Sequence, residues 1–75
     1  MSSEEQVERV VESLSWAQRL AVTSGLLSGG WWHSNSPRIS TGRCLHRAGL
    51  TERAGYMAPL TPLGLAVRNR LKEQE

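Results

Sequence analysis

A glycine that is typical of a helix end and a proline that is typical of a helix start lie close together in the sequence. This pair most constrains how the chain can fold. Gly49 follows segment 40–48, and Thr61-Pro62 opens another segment after eleven intervening residues. Glycine suits the left-handed position after a helix, and proline suits the first position inside one. Ser40 provides a side-chain cap for the earlier segment. We therefore expect helices over 40–48 and 62–73, separated by too few residues for another large element.

The separating segment has the length and glycine content of a tight hairpin. Its sequence is LTE, then RAG, then YMA. Two short segments flanking a turn that contains glycine are typical of paired antiparallel strands. The sequence therefore predicts a hairpin over residues 50–58.

The N-terminal half has the apolar spacing of two further helices. Apolar residues at positions 7, 10, 11 and 14 form one helical stripe, which predicts a helix over about 3–14. Ser15 caps a second helix, over 16–28, which ends at Gly29-Gly30. Its expected inward face is formed by Trp16, Leu20, Thr23 and Leu27, with Ala17 and Ala21 alongside. Segment 31–38 is then a loop, with a short strand at its start as the alternative.

These elements predict a mostly α-helical fold with a small β-hairpin, formed by residues 1–75 as a single compact domain. Seventy-five residues bury only a modest core. Cys44 is the only cysteine and no Cys/His cluster has zinc-ligand spacing, so we expect no disulfide, no metal and no cofactor. The acidic N-terminal segment does not resemble a signal peptide, and no apolar stretch reaches membrane-spanning length. We therefore expect a cytoplasmic protein without a membrane partner.

The charges are unevenly distributed along the chain, although their sum is only +2. Residues 1–14 hold four glutamates and one arginine, a net charge of −3, whereas residues 38–53 hold four arginines and one glutamate, a net charge of +3. Phosphate is attracted to positive surfaces and repelled by negative ones. The third predicted helix is therefore the part of the chain best suited to bind nucleic acid.

The order of these motifs resembles a known family. A short helix ending in LHRAGL, a hairpin, and then LTPLGLAVRNRL is similar to the second half of a winged helix-turn-helix domain of the MarR type, and to small phage or mobile-element winged-helix proteins. The resemblance covers about residues 38–71 and is carried by Arg47, Gly49, Leu50, Leu60, Thr61 and Gly64. It implies a compact winged helix in which 40–48 is the recognition helix and the hairpin is a short wing.

Long hydrogen-bond donors on the predicted recognition helix are the candidate binding residues. Guanidinium groups pair with phosphate oxygens and with guanine edges in the major groove, and a helix N-terminus also favours phosphate. Gly42 costs about 1 kcal/mol inside a helix, which predicts a close approach of another helix or a ligand backbone there. The candidate nucleic-acid or partner-binding residues are Arg38, Ser40, Thr41, Arg43, His46, Arg47 and Arg53.

Two tryptophans are candidate anchors for a protein partner. Trp31 and Trp32 are adjacent, and indole rings either fill a core or anchor an interface. We expect at least one of them to be buried. Catalysis is not expected, since the chain has no Asp for a Ser-His-Asp arrangement, and Cys44 and His46 point in different directions on a helix.

The sequence alone is compatible with three functions. The first is a small DNA-binding transcriptional regulator of phage or mobile-element type. The second is a phage-encoded inhibitor, similar to an anti-CRISPR protein, or an adaptor that binds a host nucleic-acid-binding protein. The third is a subunit of a larger assembly. A homodimer is compatible with the first, through the apolar side of the N-terminal helix.

Overall fold

The computed structural model describes residues 4–74 and contains four helices and two strands. A mostly α-helical fold with one small antiparallel hairpin is thus confirmed. The elements, in chain order, are α1 (Glu4–Ser13), α2 (Trp16–Thr23), β1 (Leu26–Ser28), β2 (Trp31–His33), α3 (Ile39–Arg47) and α4 (Pro62–Glu73). The predicted start of the first helix at residue 3 lies outside the described residues.

The junction between α3 and α4 is built from the glycine and the threonine that mark it in the sequence. Gly49 has a φ of 81°, and the N–H groups of Gly49 and Leu50 donate to the carbonyls of His46 and Leu45 at 2.9 and 3.0 Å. This pair of bonds is the Schellman arrangement that closes a helix C-terminus. The Thr61 hydroxyl accepts from the Gly64 N–H at 3.0 Å and donates to the Gly49 carbonyl at 2.6 Å. One side chain therefore caps α4 and ties it to the end of α3.

The hairpin lies at 26–33, so its predicted position at 50–58 is wrong. Strands β1 and β2 pair antiparallel, with Leu27 opposite Trp32. The two residues between them, Gly29 and Gly30, have φ values of 60° and 82°. Positive φ at both central positions is what a type I′ hairpin turn requires. These glycines therefore form a hairpin turn, and the predicted extension of the second helix to residue 28 is also wrong, since α2 ends at Thr23.

Residues 56–60 do not pair as the predicted hairpin because most of their backbone bonds go to β2 and to the segment after it. The Leu60 N–H donates to the Trp32 carbonyl, and the Ser36 N–H donates to the Tyr56 carbonyl, at 2.8 and 2.7 Å. Only an isolated bridge joins Thr51 to Leu60. The chain between these residues, 52–57, is a bent loop that we call the 52–57 loop.

The core lies between the helices and uses different faces of α2 and α3 from those predicted. Val7, Val11 and Leu14 of the N-terminal segment are buried in it, so the apolar side of α1 packs within the chain. On α2 the buried residues are Ala21 and Val22. Ala21 belongs to the predicted inward face, but the large residues of that face are wrong, because Trp16 is 78% exposed and Leu27, which lies in β1, is 59% exposed.

The side of α3 that faces the core contains two small residues and one leucine. Its buried residues are Thr41, Gly42 and Leu45. A Cβ on Gly42 would overlap the carbonyl oxygen of Gly55, so the predicted close approach is real, but its source is the 52–57 loop. The sequence pattern predicts that Ile39, Cys44, Leu45 and Ala48 face inward, but of these only Leu45 is buried and Ala48 is exposed. The loop can approach α3 closely at position 42 because glycine has no side chain there.

Candidate nucleic-acid interface

Helix α3 presents three of its predicted binding residues on the side facing away from the core. It packs against α2 on one side and against the 52–57 loop at Gly42. Ser40, Arg43 and Arg47 lie opposite this buried side and are exposed. Residues three and four positions apart are neighbours on a helix surface, so these three side chains form one ridge.

Six of the seven predicted binding residues are exposed. These are Arg38, Ser40, Arg43, His46, Arg47 and Arg53. Thr41 is only 8% exposed and lies on the buried side of α3 beside Gly42. It therefore belongs to the packing of the helix and not to its outer surface. We call the six exposed residues the basic face.

The four arginines of the basic face have no ion-pair partner among residues 4–74. The ion pairs of the described chain all involve Arg9 or Arg70. Glu52 is exposed and adjacent to Arg53 in the chain, but it forms no ion pair with it. Guanidinium groups that pair with no described carboxylate are available to bind an external anion.

His46 connects the basic face to the loop that follows α3. Its Nδ1 atom lies 3.2 Å from the Thr51 carbonyl oxygen, a distance at which a protonated Nδ1 donates a hydrogen bond. The Thr51 hydroxyl donates in turn to the Arg53 carbonyl at 2.9 Å. This chain of contacts positions the backbone of Arg53 beside the C-terminal half of α3.

The N-terminal end of α3 begins earlier than predicted and has no side-chain cap. The N-cap residue is Arg38, with φ −137° and ψ 152°, and its side chain makes no capping bond. Ser40 is therefore not the cap, and its hydroxyl is exposed on the ridge. A guanidinium at an uncapped helix start adds positive charge to the partial positive charge of the helix dipole.

Two exposed side chains beside the basic face were not among the predicted site residues. Tyr56 is 56% exposed, and Met57 is also exposed, in the 52–57 loop. The bond from the Ser36 N–H to the Tyr56 carbonyl brings this part of the loop next to the segment that starts α3.

The two tryptophans lie on the hairpin and not on α3. Trp31 is 62% exposed, whereas Trp32 is half-buried. The guanidinium carbon of Arg68 lies 3.6 Å from the centre of the Trp32 ring, a cation–π contact between β2 and α4. The sequence gives no local signal for this contact, because 36 positions separate the two residues. Trp31 is thus the anchor available to a partner, and Trp32 serves mainly the packing of the hairpin.

No described group of three or more His, Cys, Asp or Glu side chains is arranged to hold a metal ion. Within residues 4–74, none of the helices has both the length and the apolar character needed to cross a membrane. Comparison of the chain with models of protein families, with curated proteins and with solved structures gives no match. The functional inference accordingly depends on the residues of this chain.

Proposed function

We propose that this chain is a small DNA-binding protein, acting as a transcriptional regulator of phage or mobile-element type, with α3 as its recognition helix. The observation that carries the proposal is the basic face, in which four exposed arginines lack an ion pair with any described residue. The resemblance of segment 38–71 to winged-helix proteins supports the same function.

The basic face offers both kinds of contact that DNA recognition uses. Arg43 and Arg47, one helical turn apart, suit bidentate contacts to guanine in the major groove or contacts to phosphate. Arg38 and the uncapped N-terminus of α3 suit a phosphate at one end of the helix. Arg53, in the loop beside α3, suits the flanking backbone. Phosphate contacts set the position of the helix, and base contacts set the sequence preference.

Salt dependence provides a quantitative expectation. Each phosphate that a protein neutralises contributes a slope of about −0.9 to a plot of log K against log salt concentration. If all four arginines contact phosphate, the slope is about −3.6, and every arginine that contacts a base instead reduces its magnitude. A slope near zero is incompatible with binding through this surface.

The test is a titration of duplex DNA fragments at two salt concentrations, with a matched pair of double variants. Arg43→Ala with Arg47→Ala removes two charges from the basic face, and we expect DNA binding to fall at least 100-fold while circular dichroism stays unchanged. Arg9→Ala with Lys72→Ala removes two charges from α1 and α4, outside the basic face, and we expect less than a threefold change. Equal losses in both variants would indicate nonspecific attraction, and no binding by the unaltered protein would refute the proposal.

A second candidate function is supported by the exposure of Trp31. An exposed indole on a rigid hairpin has the character of a protein-binding hot spot. In this function the chain is an inhibitor or adaptor that covers the nucleic-acid-binding surface of a host protein. A complex anchored by Trp31 is expected to tolerate salt and to weaken strongly on Trp31→Ala, whereas DNA binding through α3 is expected to show the reverse pattern.

A further inference from the structure

Strand β1 has a free backbone edge. Its only partner among the described residues is β2, which in turn is bonded on its other side to segment 58–60. The outer row of N–H and C=O groups on β1 is therefore available to another strand. Charged residues or proline commonly protect such an edge, and β1, with the sequence Leu-Leu-Ser, has neither.

Leu27 is the residue whose backbone points to this free edge. The Trp32 carbonyl accepts from the Leu60 N–H, so the backbone of Trp32 faces away from β1. Leu27 lies directly opposite Trp32 in the antiparallel register. Directly opposed residues of an antiparallel pair either bond to each other or both face outward. The N–H and C=O of Leu27 consequently face outward, without a partner among residues 4–74.

The hairpin exposes several apolar side chains, and one charged group, the Arg68 guanidinium of α4, contacts it at the Trp32 ring. Residues 20–37 include no Lys, Arg, Asp or Glu, in a chain with 21% charged residues. Leu26 and Trp31 are exposed on one face of the hairpin, and Leu27 is exposed on the other. Exposed apolar side chains on both faces of an open edge are characteristic of a surface that another strand covers.

We propose that β1 pairs antiparallel with β1 of a second copy of this chain, with Leu27 opposite Leu27 across a two-fold axis. A two-fold axis brings identical residues together, so a charged edge would repel its own copy, whereas the uncharged segment 20–37 does not. At the centre of this arrangement each Leu27 N–H donates to the Leu27 carbonyl of the other copy. The two hairpins then form one continuous four-stranded sheet.

The size of the surface sets the strength of this association. A three-residue strand with two exposed leucines, Leu26 and Leu27, and the neighbouring Trp31 of β2 offers less than the roughly 800 Å² per partner of a standard stable interface. Dimer formation is therefore expected to depend on protein concentration. The proposal is independent of DNA binding, because it uses none of the residues of the basic face.

The experiment is sedimentation velocity of the full chain over a range of concentrations, with Leu27→Pro as the diagnostic variant. Proline removes the outward N–H of Leu27 and no bond inside the hairpin, since that N–H has no partner there. We expect the unaltered protein to shift from monomer to dimer as its concentration rises, and Leu27→Pro to remain monomeric with an unchanged circular dichroism spectrum.

Two further variants make the outcome decisive. Trp16→Ser removes an exposed aromatic side chain from the far end of α2, and it should leave the dimer intact. Leu27→Lys keeps the N–H but places two like charges opposite each other, and it should abolish the dimer even if Leu27→Pro fails to fold. A protein that is monomeric at every concentration would overturn the proposal. So would a folded Leu27→Pro or Leu27→Lys variant that still dimerises.

Discussion

The α1–α4 contact and the outer side of α3 use arginine in opposite ways. Arg70 of α4 bonds to Glu8 of α1 and lies 3.4 Å from Glu73, and the pKa of Arg70 is raised, mainly by the hydrogen bond to Glu8. On the outer side of α3, Arg43 and Arg47 lie one turn apart with no described carboxylate bound to either. Arginine thus joins two helices in one region and remains available for an external anion in the other.

This difference implies that contacts on the inner side of α3 hold the helix in place, because its arginines have no ion-pair partner among residues 4–74. One of these contacts brings the Gly55 carbonyl so close to Gly42 that a Cβ on residue 42 would overlap it. Arg70, by contrast, links α4 to α1 through its ion pair with Glu8.

The largest expected effect is that of Gly42→Ala. Alanine favours a helix by up to about 1 kcal/mol over glycine, but here its methyl group would overlap the Gly55 carbonyl, and such overpacking costs about 1–3 kcal/mol or more. We expect a net loss of about 2 kcal/mol in the free energy of unfolding, measured with urea. Gly29→Asn is the control, since Gly29 has no neighbour within 4 Å and asparagine tolerates its φ of 60°. A stabilised Gly42→Ala variant would show that the loop does not hold α3.

An intermediate effect is expected from Thr61→Ala. This change removes the cap of α4 and the bond from the Thr61 hydroxyl to Gly49, at about 1 kcal/mol for the cap and a further fraction for the bond. We expect a loss of about 1.5 kcal/mol by urea unfolding. Thr61→Ser keeps both bonds and should lie within about 0.5 kcal/mol of the unaltered protein. Equal losses for the two variants would assign the effect to the methyl group and not to the hydroxyl.

The smallest expected effects on stability come from replacing one arginine in each of the two regions, Arg70 of α4 and Arg47 of α3. Arg70→Gln should lower the urea midpoint, because it removes the link between α4 and Glu8. Arg47→Gln should change the midpoint little, because relief of the repulsion from Arg43, about 0.2–0.5 kcal/mol, is offset by loss of a cation at the C-terminal end of α3. Added salt should reduce both differences. A lower midpoint for Arg47→Gln than for Arg70→Gln would contradict the contrast between the regions.

The candidate site was more predictable than the sheet around it. Arg43 and Arg47 are exposed as expected, because a long charged side chain almost always reaches water on a short helix. Thr41 was misplaced because the side of α3 that faces the core depends on where α2 and the 52–57 loop approach it. Tyr56 was missed because its position beside the start of α3 depends on the bond from the Ser36 N–H to the Tyr56 carbonyl. These two residues are twenty positions apart in the chain.

The amino-acid sequence alone specifies the fold class and those helix ends whose capping bonds join backbone groups within a few residues of each other. Gly49 and Thr61-Pro62 are examples, since their capping bonds reach at most the neighbouring helix end. The role of Gly29-Gly30 is different. A helix stop and a hairpin turn require the same glycines, and the choice depends on β2 bonding to segment 58–60, about thirty positions further along. Tertiary contacts therefore determine that Gly29-Gly30 form a hairpin turn. They also determine that Trp16 is exposed and that the backbone of Leu27 has no strand partner among residues 4–74. The reason is that the energy of burying a side chain or pairing a strand depends on partners that are distant in the chain.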